Sequence, residues 1–249
     1  MHCLLGCAGD GAFLVEDPPP QDDLRSLLVL PISFDSTAAQ RYISTEMFVR
    51  GTARLSDGLL HYLESCGHEV TPLPSGEVAL AWVEAAEAVG GVWAEDGRTL
   101  LEDRYESARA SLAERLLRRH PADGIVMAGI FVREGRYVGL HLRWDGVSRP
   151  MKLEQKNNQA YVSSTMGGDV ATSIGVTVFD RAGRKIYQRY GGIEPIIEYS
   201  YVGGGVMSYS TGSFSRRNRT DLFEDDALLQ DSIRVALTPL IVRPKAASK

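Results

Sequence analysis

Apolar positions along the chain change period part-way, and that change predicts the architecture. Ser26-Leu27-Leu28-Val29-Leu30-Pro31 is a short apolar run between polar residues and a proline, which reads as a buried strand in the centre of a sheet. Asp35-Ser36-Thr37 supplies turn and helix-cap chemistry, because short oxygen-bearing side chains accept bonds from free helical N–H groups. Leu55, Leu59, Tyr62, Leu63 and Cys66 then fall at helical spacing, with Gly67 as the stop and Cys66 read as a small buried side chain. A second short strand is expected at His68 to Leu73. Val78, Trp82 and Val83 mark one side of a further helix, and Tyr105, Ala108, Leu112 and Leu116 mark another. Between them the glycine-punctuated run from Gly90 to Gly97 must be a loop. A strand, a helix and a second strand open an α/β layer.

From Asp123 the period becomes two. Ile125 to Val132 and Tyr137 to Trp144 read as strands joined by a turn at Arg133-Glu134-Gly135-Arg136. A second hairpin follows: Ile174, Val176 and Val178 alternate, Asp180-Arg181-Ala182-Gly183 turns, and Lys185 to Tyr190 returns. Leu229, Ile233, Leu237 and Leu240 form one face of a closing helix, opened by Asp225 and Asp226 and ended near Pro239. The expected fold is α/β with α+β character: a mixed sheet with helices packed on it, antiparallel hairpins in the C-terminal half and an amphipathic last helix. Residues 26–242 are expected to form a single domain, with a Gly/Tyr-rich loop insertion at 193–221 and a tail at 243–249.

Composition narrows the class. The hydrophobic fraction of 44% and charged fraction of 24% match globular averages, so the chain can build a core. A net charge of -5 gives no reason to expect nucleic acid as a partner. Arg216-Arg217-Asn218-Arg219 is a local exception, read as a solvated loop because Glu224-Asp225-Asp226 follows. No run approaches the roughly 18 apolar residues of a membrane-spanning helix. Cys3, Cys7 and Cys66 have neither disulfide-framework nor zinc-ligand spacing.

The N-terminal residues 1–25 carry a different signal. Leu4-Leu5-Gly6-Cys7 resembles the lipobox of bacterial lipoproteins, in which the cysteine becomes the lipid-bearing first residue. The stretch that follows contains Gly9-Asp10-Gly11 and Pro18-Pro19-Pro20-Gln21-Asp22-Asp23, a proline-stiffened polar segment suited to a tether. On this reading Cys7 is the lipidation site and the true start, or a trimmed signal, lies upstream. The alternative is an ordinary frayed terminus.

The order of the VLP strand, helix, short strand, helices, ADGIVMAGIFV, IGVTVFDRAGRKIYQR and a closing helix ending ALTPLI resembles the α/β domain of CsgG-like curli-assembly lipoproteins and of the TolB amino-terminal domain. The resemblance implies an envelope protein that works by assembly and contact, without turnover. Residues 146–169 and 193–221 have no counterpart in it.

No sequence constellation points to catalysis, a metal or a cofactor. His2, His61, His68, His120 and His141 are scattered, and neither a His-Glu-x-x-His nor a Gly-x-Ser-x-Gly pattern occurs. The glycine-rich run from Gly203 lacks the lysine of a phosphate-binding loop. Its surroundings hold Tyr199, Tyr201 and Tyr209 with Arg216 and Arg217, residue types favoured at interfaces, and these five are the candidate partner-binding residues. Asp169 and Asp180 are the candidates for a carboxylate pair, but Asp180 reads as a turn residue with no second acid fixed near it. The favoured expectation is a non-enzymatic, lipid-anchored subunit at the periplasmic face of the outer membrane, in contact with other envelope proteins or with itself. The alternative is a soluble, cytoplasmic small-anion-binding module or enzyme using His141 and Arg143 or the loop at 203–213.

Overall fold

The computed structural model describes residues 24–34, 41–153, 168–202 and 213–241. Strand β1 (Ser26–Val29) lies between β3 (Glu69–Pro72) and the start of β4 (Gly124–Val138), parallel to both. This central place is what an apolar run without alternation requires. The two-residue β2 (Ser33–Phe34) continues beside β4 at Gly129 and Ile130. Along the opposite edge of β4 runs β8 (Gly168–Asp180), antiparallel from Gly124↔Asp180 to Arg136↔Gly168, and β9 (Lys185–Pro195) borders β8.

Helices cover both faces. Helix α1 (Thr45–Ser65) and the closing helix α4 (Asp226–Ile241) pack on one face, where Leu55, Leu59, Leu63, Leu229, Ile233 and Leu237 meet Val126, Ala128 and Ile130. Helices α2 (Ser75–Ala88) and α3 (Glu102–Arg119) cover the other, where Ala81, Ala85, Leu112 and Leu116 meet Ile125 and Met127. Leu55, Leu59 and Leu63 are fully buried, each worth about 1.5–3 kcal/mol of burial free energy. Covered on both sides, β8 is buried without a break from Ala171 to Phe179.

The expected class of fold is therefore present: a mixed sheet with helices on it, antiparallel strands in the C-terminal half and a closing helix. Several details differ. The turn expected at Arg133–Arg136 does not form there; β4 runs on to Val138 because β8 pairs with it as far as Arg136, and the chain reverses at Gly139, whose φ is +62°. Residues 197–202 and 213–218, expected within a loop, are strands β10 (Ile197–Val202) and β11 (Ser213–Asn218), paired with each other and, through β10, with β7 (Lys152–Leu153) in a small second sheet. Cys66 is exposed, since it follows the last turn of α1 after the buried Leu55-Leu59-Leu63 stripe has ended. Val83 faces outward, the buried side of α2 being set by Ala81 and Ala85. Pro239 lies inside α4, which continues to Ile241. The cap expected at Asp35-Ser36-Thr37 falls outside the described residues; α1 is capped by Ser44, whose hydroxyl accepts from the Met47 N–H at 3.2 Å.

Candidate functional site

Beyond Val138 the chain folds back as β5 (His141–Trp144) and β6 (Val147–Pro150), joined by Asp145 and Gly146 with φ of 37° and 79°. Positive φ at both central residues is the two-residue hairpin turn that Asp-Gly favours. The inner face of this hairpin is locked to the large sheet. Leu142 fills the space left by Gly135, where a Cβ would stand 2.7 Å from Leu142 Cγ. Trp144 Nε1 donates to the Thr172 carbonyl and to Ser173 Oγ, both at 3.1 Å. Asp145 Oδ2 accepts from Ser173 Oγ at 2.7 Å and from Arg133 Nε at 3.3 Å. Arg149 reaches the Ile193 carbonyl and the Asp231 carboxylate of α4.

The outer face of the same strands is exposed and basic. His141 and Arg143 share it, as the alternation of β5 predicts. The pairing adds Arg136, which stands directly opposite Arg143, while Arg143 in turn faces Ser148 on β6.

The small sheet is pinned to the large one through Asp169. This carboxylate is 5% exposed. Its Oδ2 accepts from Tyr199 Oη at 2.5 Å and from Tyr137 Oη at 3.2 Å, and its Oδ1 accepts from the Arg216 guanidinium and the Val170 N–H. One acid thus ties β4, β8, β10 and β11 together. Burial, reinforced by the neighbouring carboxylate, raises both phenols above their ordinary range, so they stay neutral donors. A second buried pair lies where β9 meets β10. Arg219, at 7% side-chain exposure, approaches Glu194, at 2%, to 2.7 Å, and its Nε donates to Asp221 Oδ1 at 2.8 Å. Glu194 Oε1 accepts the N–H of Phe223, a residue held at φ +66° against Gly51.

The candidate partner-binding residues are divided by these contacts. Tyr199 is buried with its hydroxyl on Asp169, so its aromatic face is packed in the core. Arg216 is half-exposed and Arg217 pairs with Glu198 at 2.7 Å. The basic run is thus a strand with paired arginines followed by a buried one, and differs from the expected solvated loop. Tyr201 lies on β10, its side chain outside what the structure describes, and Tyr209 and Cys7 also fall outside the described residues. Asp180 is a turn residue: its Oδ1 accepts from the N–H groups of Ala182 and Arg184. Among the described residues no group of three or more His, Cys, Asp or Glu side chains converges as metal ligands.

Sequence reasoning passed over Arg136, Ser148, Glu194 and the Tyr137–Asp169–Tyr199 contact. The Asp145–Gly146 dipeptide is the available signal for Ser148, since it places a third strand beside β5, while Arg136 comes opposite Arg143 through the β4–β5 register. Nothing local signals the others, whose partners are 22 or more residues away in the chain.

The chain matches no protein-family model and no curated protein. Among solved structures it is similar to the PelC dodecamer from Paraburkholderia phytofirmans, with 9% identity and a TM-score of 0.37 over 89% of this chain and 90% of that one. It is also similar to lipoprotein GNA1162 from Neisseria meningitidis, with 15% identity and a TM-score of 0.28 over 68% and 81% of the two chains. A third is the hypothetical protein CT253 from Chlamydia trachomatis, with 14% identity and a TM-score of 0.33 over 69% and 73%.

Proposed function

We propose that this chain is a non-enzymatic bacterial cell-envelope lipoprotein, anchored through Cys7 at the periplasmic face of the outer membrane. It would act as an assembly, secretion or transport subunit through protein–protein contacts. The observation that carries the contact role is the small sheet. Strand β11 borders only β10 among the described residues, and Ser215 to Asn218 are exposed along it, which leaves a strand edge able to pair with another chain. Asp169 and the Glu194–Arg219 pair hold that edge in a fixed position on the body, so little ordering of the strands is needed on docking. The buried acids are engaged by arginine, tyrosine or backbone donors and serve to position strands. The anchor role is supported by the lipobox resemblance and the proline-stiffened residues after it.

Expression of the full-length gene product followed by membrane fractionation tests the anchor: the wild-type chain should pellet with membranes and Cys7→Ser should not. In detergent, the wild-type protein should migrate as a complex larger than its 27.3 kDa chain. A Cys7→Ser protein that still pellets would refute the anchor, and a monomer that turns over a metabolite would refute the contact role.

A further inference from the structure

The outer face of the β4–β5–β6 hairpin carries two adjacent cross-strand rows. The first consists of Arg136, Arg143 and Ser148, one from each strand and in direct register. The second, two register positions further along on the same face, consists of Val138, His141 and Pro150. Directly opposed like charges destabilise an antiparallel pair unless something negative lies over them. Yet among the described residues neither guanidinium has a carboxylate partner, although most other arginines of the chain are paired. Two acids stand two residues away, Glu134 before Arg136 on the same face and Asp145 after Arg143 in the turn, and neither bridges to these guanidiniums, Asp145 being engaged by Ser173 and Arg133. Two guanidiniums and a hydroxyl side by side present a line of donors matched to the oxygens of a phosphate group. The adjoining row is apolar around one imidazole, with Val138 46% exposed.

We infer that this face docks on phospholipid headgroups: Arg136, Arg143 and Ser148 hold a phosphodiester while Val138 and Pro150 rest at the boundary with the acyl region. The exposure of Arg136, Arg143 and Ser148 decides between headgroups and a dissolved phosphate. Small-solute sites are concave and bury most of their ligand, whereas an open basic row beside an apolar one has the composition of an interfacial surface. The chain as a whole is acidic, with a net charge of -5, so attraction to an anionic bilayer must be local to this face. The inference stands apart from the lipid anchor, because the row would draw headgroups with no acyl chain present.

The test uses the full chain carrying Cys7→Ser, so that no lipid contributes, in sedimentation with vesicles. Binding to phosphatidylglycerol–phosphatidylcholine vesicles should exceed binding to pure phosphatidylcholine by roughly tenfold and fall with salt. Arg136→Gln with Arg143→Gln should abolish that preference, while the same loss of charge at Arg41 and Arg98 should leave it intact. All three proteins should give the same circular dichroism spectrum, since the substituted side chains are exposed. Equal binding to both vesicles, or a preference that survives the double substitution, overturns the inference. So does a chain that ignores vesicles but is stabilised against heat by inorganic phosphate through Arg136 and Arg143, which would make the row a solute site.

Discussion

Arg219→Met and Glu194→Gln remove opposite halves of one buried pair, and the structure predicts unequal outcomes. Arg219 has a second carboxylate, Asp221, at 2.8 Å, and its Nη1 also donates to the Pro195 carbonyl at 3.0 Å. Without Glu194 it therefore remains compensated, and glutamine still offers an acceptor for the Phe223 N–H. That change should cost about 1–3 kcal/mol. Without Arg219, Glu194 keeps only the Phe223 N–H at 2.5 Å in a site 1% exposed. An uncompensated buried charge of this kind costs about 3–5 kcal/mol. The pH dependence has a definite sign. Burial already raises the Glu194 carboxyl above its ordinary 4.5, against the pull of Arg219; removing Arg219 raises it further. An acid whose native pKa is raised destabilises the fold progressively as pH climbs from the unfolded value to the native one, and not below it. Urea unfolding followed by circular dichroism should show Arg219→Met far below wild type near neutral pH, with the gap narrowing toward pH of about 4. Equal costs for the two variants, or a gap independent of pH, would refute the assignment of Glu194 as a buried anion that depends on Arg219.

Gly191→Ala should destabilise by about 3 kcal/mol or more, because the new Cβ would stand 1.9 Å from the Ser232 carbonyl oxygen and force α4 off β9. Gly76→Ala, with nothing within 4 Å, should instead gain about 0.5 kcal/mol from helix propensity; thermal melts of the two compare the effects directly. Asp123 staples the start of β1 to β4 by accepting the N–H groups of Arg25 and Ser26 and the Ser26 hydroxyl. Burial works to raise its pKa, but the bonds from Ser26, with help from Arg25 and Arg181, outweigh it and hold the carboxyl below 3.8. Asp123→Asn should therefore cost about 1–2 kcal/mol near neutral pH, and the difference from wild type should vanish as acid titration passes through the lowered pKa; a cost that persists in acid would contradict the role of the charge.

The elements whose packing is set by their own periodicity were legible in the chain itself. The Leu55-Leu59-Leu63 stripe, the Leu229-Ile233-Leu237 face and the Asp180–Gly183 turn each carry their signal within a few residues, and each stands where that signal puts it. Residues 133–136 failed as a turn because Gly135 has a local preference that the pairing of β4 with β8 overrides. The small sheet escaped notice for a related reason: β10 and β11 are held by Asp169 and Glu194, acids that precede the residues they bind by about 20 to 50 positions. The opposition of Arg136 to Arg143 is likewise a matter of register. Local sequence supplies periodicity and turn chemistry, while which charges end up buried together, and which are left facing outward without a partner, depends on contacts distant in the chain that only the folded packing brings within hydrogen-bond reach.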